Sequence, residues 1–237
     1  MNIKFFNYKI SEFLQPIDLN RKIVINTINA HSFITALNDK IFYQALKKSD
    51  ILTPDGAGII LALKLFKNTS INKVAGWDIH EFYLKNAQKN KLKVFYMGAS
   101  KSTLLKIKKK ISIKFPNVEV ETYSPPYKTV FSKNDNQIMI KKINDFNPHI
   151  LFVGMTAPKQ EKWVYENLDL ISFNVACSIG AVFDFFAETK KRSSNIWIRL
   201  NLEWLERFLK NPKELCGRVF ISMPKFIIYV FLNRKII

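Results

Sequence analysis

Apolar runs rich in β-branched residues alternate along this chain with amphipathic stretches, and that alternation sets the expected elements. The runs are KIVINT (Lys22–Thr27), DILTP (Asp50–Pro54), KVFYMGA (Lys93–Ala99), VEVETY (Val118–Tyr123), HILFVGM (His149–Met155) and NVACSIGA (Asn174–Ala181). The stretches SFITALNDKIFYQALKKS (Ser32–Ser49), GWDIHEFYLKNAQKN (Gly76–Asn90), KSTLLKIKKKISIKF (Lys101–Phe115) and NDNQIMIKKINDF (Asn134–Phe146) place their apolar residues at helical spacing. Strands that alternate with crossover helices predict βαβ units and an α/β fold with a Rossmann-like, mainly parallel sheet flanked by helices. In such sheets ligands bind beyond the carboxyl ends of the strands. The loops to search are therefore those carrying Thr27 and Asn29, Asp55-Gly56, Gly98 to Ser100, Gly154 to Glu161, and Gly180 to Asp184.

From about residue 188 the pattern changes. Residues 1–187 read as the Rossmann-like domain and 188–237 as a basic, amphipathic helical appendage. The last 50 residues hold eleven Lys or Arg against four Glu. On a helical wheel Trp197, Ile198, Leu200, Leu202, Trp204, Leu205, Phe208 and Leu209 gather on one side, opposite Arg199, Glu203, Glu206, Arg207 and Lys210. The run VFISMPKFIIYVFL (Val219–Leu232) lies between Arg218 and Arg234. It is shorter than the ~20 residues a spanning helix needs and is interrupted by Pro224 and Lys225. The expected element lies on a membrane surface. A helix packed on the domain, or a subunit interface in a homo-oligomer, has the same pattern.

Composition narrows the field. With 237 residues and 48% hydrophobic content the chain can bury an ordinary core. Cys177 and Cys216 show no metal-ligand spacing, and the start, MNIKFFNYKISEF, alternates polar and apolar residues without a continuous leader-like run. A reducing cytoplasm is expected. The net charge of +18 predicts an anionic partner, whether nucleic acid, a membrane surface or a phosphorylated substrate, although a bias toward Lys, Asn and Ile gives the same sign. Two other classes were weighed. A nucleic-acid-binding protein needs a recognition motif, and the basic stretch Lys101–Lys114 supplies none. A nucleotide-dependent oxidoreductase needs the dinucleotide fingerprint, and GAGII (Gly56–Ile60) lacks its third glycine and its acidic partner.

Seven segments together resemble the WecG/TagA/CpsF glycosyltransferases, glycosyltransferase family 26. They are INTINAHSFITAL (Ile25–Leu37), LTPDGAGI (Leu52–Ile59), VAGWD (Val74–Asp78), VFYMGAS (Val94–Ser100), VGMTAPKQEKW (Val153–Trp163), IGAVFDFFA (Ile179–Ala187) and LEWLERFLKNP (Leu202–Pro212). The resemblance implies an inverting transferase without a metal or other cofactor. Such an enzyme moves a sugar from a UDP-sugar to an undecaprenyl-diphosphate-linked sugar at the cytoplasmic face of the bacterial plasma membrane, for teichoic acid, common antigen, capsule or exopolysaccharide. N-acetylmannosamine, its uronic acid, glucose and galactose are all compatible donor sugars.

Inverting transfer requires a carboxylate to take the acceptor hydroxyl proton and positive or dipolar groups to meet the leaving diphosphate. The resemblance makes Asp55 that base; an ordinary Asp-Gly turn is the competing reading. It puts Thr27 and Asn29 at the donor sugar together with Gln160, while Lys159 can meet phosphate and Glu161 can anchor the helix start. Pro158 suits a first helical turn whose remaining amides face an anion, and the Gly98 loop borders the same ends. Lys73 stands where the family commonly has arginine, keeping charge but losing bidentate geometry. Arg207 and Arg218 match tail arginines, although Lys213, Glu214 and Gly217 depart from the family pattern. No Asp-x-Asp pair occurs to clamp a divalent ion on UDP. Asp184 reads as a loop anchor, and His31, His80 and His149 as structural.

Overall fold

A computed structural model describes residues 3–199, 203–210, 212 and 217–236. A short hairpin, β1 (Ile3–Phe5) and β2 (Tyr8–Ile10), opens the chain, and β3 (Ile23–Ile28) leads into α1 (Ala30–Asn38) and α2 (Lys40–Lys47). Next come β4 (Ile51–Pro54), α3 (Ala57–Lys67), α4 (Gly76–Asn90), β5 (Lys93–Gly98), α5 (Lys101–Lys114), β6 (Glu119–Tyr123) and α6 (Lys133–Phe146). They are followed by β7 (Ile150–Gly154), α7 (Lys159–Glu166), β8 (Val175–Ser178) and α8 (Val182–Phe186). The tail holds α9 (Asn195–Arg199), α10 (Glu203–Lys210), a π-helical turn (Gly217–Ser222) and α11 (Met223–Leu232). The strands form one sheet in the order β1-β2-β4-β3-β8-β7-β5-β6, and only the β1–β2 pair among the described pairings is antiparallel. This is the Rossmann-like α/β architecture that the alternating pattern predicts.

Two compact units divide the chain. One comprises Met1–Phe13, Thr27–Ala75 and Lys191–Ile237; the other comprises Leu14–Asn26 and Gly76–Lys190.

In the first unit the pattern expected as one helix from Ser32 to Ser49 breaks at Asp39. Its backbone is extended (φ −127°, ψ 98°) and its carboxylate accepts the Phe42 amide at 3.0 Å, so it starts a second helix, as a short acidic side chain does well. The short hairpin supplies Phe5, Tyr8 and Ile10 to the core, with Lys4 and Lys9 turned outward between them. Aromatic rings from distant segments meet there: Phe33 of α1 lies edge-on to Phe5 at 5.7 Å and to Phe226 of α11 at 5.4 Å, and Phe6 meets Tyr229 at 5.5 Å. Pro224 falls in the first turn of α11, where its missing amide costs nothing, so it starts the helix there. Phe226 and Val230 turn inward, whereas Ile227, Ile228, Phe231 and Leu232 are exposed. Among the described residues no helix is long and apolar enough to cross a membrane.

In the second unit β5, β7 and β8 are apolar on both faces, as strands covered by helices on each side must be. One face packs Leu151, Val153 and Ala176 against Trp163 and Val164 of α7 and Met139 and Ile143 of α6. Near the other face His80 of α4 shares a 2.7 Å hydrogen bond with the Tyr96 hydroxyl, both groups being buried. The carboxyl ends of β5 and β7 are paired at Gly98 and Gly154. Gly98 has φ +125°, and a Cβ there would overlap the Gly154 carbonyl; a Cβ on Gly154 would lie 2.6 Å from the Phe183 ring. Gly98 is thus required by the backbone at the strand end.

Gly98→Ala combines a positive φ with a backbone collision and should lower unfolding free energy by about 2–4 kcal/mol. Urea titration followed by circular dichroism checks this, and an unchanged midpoint would show that the strand ends can part without cost.

Candidate functional site

Two groups of side chains, one in each unit, carry the expected chemistry. In the first unit Thr27 is the penultimate residue of β3 and is partly exposed. Asn29 caps α1: its side-chain oxygen accepts the Ser32 amide at 2.9 Å, and the Ser32 hydroxyl accepts the Asn29 amide at 2.7 Å. This capping box fixes the turn after β3 and uses the Asn29 oxygen in doing so. Asp55 follows β4, and its amide donates to the Ile28 carbonyl at 2.8 Å, so the ends of β3 and β4 are tied together. Gly56 then takes φ +103°, with its Cβ direction 3.7 Å from Asn29 Cβ. A side chain at that position would be strained by the backbone conformation and would sit in ordinary contact with Asn29. The structure therefore brings Thr27, Asn29 and Asp55 to one end of adjacent strands, at the start of α1 and α3.

Lys73 is held differently from the expectation of an open phosphate ligand. Its ammonium lies 2.9 Å from Glu203 Oε2 of α10, with both side chains more than four-fifths buried. The pair joins residues 130 apart in sequence. Arg207 and Arg218 lie on α10 and the π-helical turn, but their side chains fall outside the described residues. His31 reaches the same tail region, its Nδ1 2.8 Å from the Ser222 hydroxyl.

In the second unit the polar cluster after β7 folds inward. Gln160 is 4% exposed. Its Oε1 accepts the Met155 amide at 3.1 Å and its Nε2 donates to Glu161 Oε1 at 2.8 Å. Gly180, at φ +51°, lies across from this amide: a Cβ there would stand 3.6 Å from both Oε1 and Nε2. Glu161 is itself 4% exposed, and burial pushes its carboxyl up from 4.5 to about 7. Its Oε2 meets no hydrogen-bond partner among the described residues, nor does the buried Ser178 hydroxyl at the end of β8. Lys159 turns to the Lys128 carbonyl and stands 3.6 Å over the Phe131 ring, and burial lowers its pKa. Pro158 precedes the helix as its cap residue, one position earlier than a first-turn placement. Gly98, in the same unit, serves the strand approach described above. Asp184 anchors its loop by accepting from Thr189 and lying 3.7 Å from Lys190.

Sequence reasoning gave Glu161 only a role at the helix start and assigned none to Glu203. Amphipathic counting treats both as helix-surface acids. Neither the burial of Glu161 nor the pairing of Glu203 with Lys73 leaves a signal in that count. Among the described residues no three His, Cys, Asp or Glu side chains converge as a metal set.

Comparison with known proteins gives consistent matches along the chain. The model of the "Glycosyl transferase WecG/TagA/CpsF family" matches residues 1–236. A Bacillus subtilis protein named N-acetylglucosaminyldiphosphoundecaprenol N-acetyl-beta-D-mannosaminyltransferase is 30% identical over 99% of this chain and 91% of its own length. Proteins of the same name from Bacillus spizizenii and Staphylococcus aureus are 29% and 26% identical, over 92% and 86% of this chain and 82% and 78% of theirs.

The raised Glu161 carboxyl has a signed consequence. In the unfolded chain the acid ionises near 4.5, and in the folded protein near 7. The folded state therefore binds more protons in that window, and stability falls as pH rises through it, by about 3 kcal/mol in all, then levels off. Glu161→Gln removes this term. Between pH of about 5 and about 8 the wild type should lose roughly that much stability relative to the variant, read by urea unfolding at each pH. A constant difference between the two proteins would mean that the carboxyl keeps its ordinary affinity.

Proposed function

This chain belongs to the WecG/TagA/CpsF glycosyltransferase family, and from that premise we propose that it transfers N-acetylmannosamine or a related hexose from a UDP-sugar to a lipid-diphosphate-linked sugar. The acceptor class follows the names of the Bacillus and Staphylococcus relatives, which act on an undecaprenol-diphosphate-linked N-acetylglucosamine. The observation that supports the reading is the junction of β3 and β4, where Thr27, Asn29 and Asp55 lie at the ends of adjacent strands tied by the Asp55 amide to the Ile28 carbonyl.

The mechanism is a single inverting displacement. Asp55 takes the proton from the acceptor hydroxyl as that oxygen bonds to the anomeric carbon. The bond from that carbon to the UDP oxygen breaks on the opposite face, and its electron pair leaves with the diphosphate. Thr27 hydrogen-bonds sugar hydroxyls at the end of β3, and Asn29 acts there with the part of its side chain not engaged in the cap. Gln160 meets the sugar through its amide. Lys73, Lys159, Arg207 and Arg218 offset diphosphate charge together with helix N-termini, and no metal is assigned a role. Release of Lys73 from Glu203 would accompany that use of its ammonium. The enzyme works peripherally at the cytoplasmic face of the plasma membrane, where nucleotide sugars and the lipid acceptor meet. The nucleic-acid and oxidoreductase readings gain no supporting motif.

Asp55→Asn removes the base while keeping shape. It should preserve UDP binding and fold and lower turnover by about 10²–10⁴, checked with UDP-N-acetylmannosamine and a diphospholipid-linked N-acetylglucosamine in the presence of EDTA. Near-normal turnover would take Asp55 out of the base role, and an EDTA loss restored by Mn²⁺ would overturn the metal-free step.

The tail supplies the membrane contact. Phe220, Ile221, Ile227, Ile228, Phe231 and Leu232 are exposed, and Lys225, Arg234 and Lys235 flank them. Each basic residue near an anionic surface contributes about 1 kcal/mol, and the apolar face adds burial. Deleting the tail would also strip Phe226 and Val230 from the core, so outward positions are the cleaner test. Vesicles containing phosphatidylglycerol should bind the protein more tightly than neutral phosphatidylcholine vesicles, and Ile227→Ser with Phe231→Ser should weaken both by about tenfold or more. Unchanged sedimentation of the double variant would remove this face from membrane binding.

A further inference from the structure

The least economical group in the second unit is the Glu161 carboxylate. It lies in the first turn of α7, where the positive helix end favours an acid, but an exposed acid would serve that end equally well. Burial costs free energy, and one of its oxygens meets no partner among the described residues. What the buried side chain does have is one short hydrogen bond, from Gln160 Nε2 at 2.8 Å.

That bond has a directional consequence. A primary amide can stand either way round, and its two ends differ only in whether they donate or accept. The Met155 backbone N–H can only donate, so the atom facing it at 3.1 Å must be the Gln160 oxygen. The opposite end is then Nε2, which donates to Glu161 Oε1 at 2.8 Å. Each neighbour demands the same orientation. One Nε2 hydrogen is used by Glu161, and the buried amide lies beside Gly180, where a Cβ would stand 3.6 Å from Nε2 and glycine leaves that space free of a side chain.

We propose that Glu161 is a positioning residue: its buried carboxylate fixes which way round the Gln160 amide stands, so that Gln160 presents a hydrogen-bond donor to an oxygen acceptor of the bound sugar. This rests on the reading above that Gln160 meets the donor sugar. It adds that the contacted group is an acceptor, a ring hydroxyl oxygen or an acetamido carbonyl, and that the residue next to Gln160 sets this preference without touching substrate.

The test separates orientation from sugar contact. Glu161→Leu keeps apolar volume without an acceptor, a replacement that buried charges often tolerate; Glu161→Ala serves as a second variant should the first not fold. Glu161→Gln restores an acceptor and is the conservative rescue. With glutamine side chains ¹⁵N-labelled, the Gln160 amide pair, assigned by its loss in Gln160→Ala, should exchange slowly with solvent in the wild type and in Glu161→Gln. It should exchange at least about tenfold faster in Glu161→Leu. With UDP-N-acetylmannosamine as donor probe, Glu161→Leu should raise donor KM about tenfold, with kcat and UDP affinity within about threefold. Glu161→Gln should recover most of that loss, and Gln160→Ala with Glu161→Leu should be no worse than Gln160→Ala alone. Slow exchange and wild-type donor KM in Glu161→Leu, against a raised KM in Gln160→Ala, would overturn the proposal. If Gln160→Ala itself leaves donor KM unchanged, the sugar-contact reading fails instead, and the exchange rates still decide whether Glu161 holds the amide.

Discussion

The close approach of two strand ends governs the second unit. β5 and β7 finish side by side on Gly98 and Gly154, with Gly98 at a positive φ and the Phe183 ring lying over Gly154. No side chain fits between the two backbones or between Gly154 and that ring. The Phe183 contact places the start of α8 directly over the end of β7. The loop leaving Gly154 must therefore turn at Met155, and the Met155 amide is caught by Gln160. The buried Gln160 amide, its bond to Glu161 and its neighbour Gly180 lie directly beyond this backbone contact that tolerates only glycine.

The first unit depends on a different physics, the burial of aromatic surface from residues far apart in sequence. Phe5 and Phe6 from the opening hairpin, Phe33 from α1 and Phe226 and Tyr229 from α11 form one ring cluster. Fully burying each large apolar side chain contributes roughly 1.5–3 kcal/mol, so the last helix is part of the core. Two polar ties fasten the same tail, Lys73 to Glu203 and His31 to Ser222. A largely buried ion pair contributes little net stability, but breaking one side of it is costly. Any use of Lys73 on a diphosphate is thereby coupled to the position of α10.

What the sequence made legible follows from how local each signal is. The strands beginning at Ile23, Ile51, Lys93, Ile150 and Val175 were readable because a covered parallel strand is a continuous apolar run, whereas β6, a partly buried edge strand, was readable from Val120 and Thr122 alternating with Glu119 and Glu121. The loops after them were readable because the fold places ligand chemistry at carboxyl ends. The hairpin was not read as strands because three-residue strands carry only one or two alternations. The break at Asp39 was missed because both flanks show helical spacing, although the inward positions Phe33 and Ala36 and the inward positions Phe42, Ala45 and Leu46 fall on opposite sides of a single wheel. α3 was passed over because its start, GAGII, was compared only with the dinucleotide fingerprint. The Lys73–Glu203 pair and the burial of Glu161 depend on contacts that composition and periodicity do not encode.

The arrangement of α11 limits where this unit can be at rest. A helix with one apolar stripe is satisfied by packing on a domain, and Phe226 and Val230 fill that role. Here the outward side is apolar as well, with Ile227, Ile228, Phe231 and Leu232 each more than half exposed and no acidic residue anywhere in the helix. Contiguous apolar surface of this kind is rare on a protein surrounded only by water, and it is rimmed by Lys225, Arg234 and Lys235. At 10 residues the helix is about half the length needed to span a bilayer of about 30 Å. Apolar on both sides and basic at its margins, it has the composition that the proposed membrane contact requires. The inner face is held by the core, so under that proposal the outward face would make the contact without the helix leaving the fold.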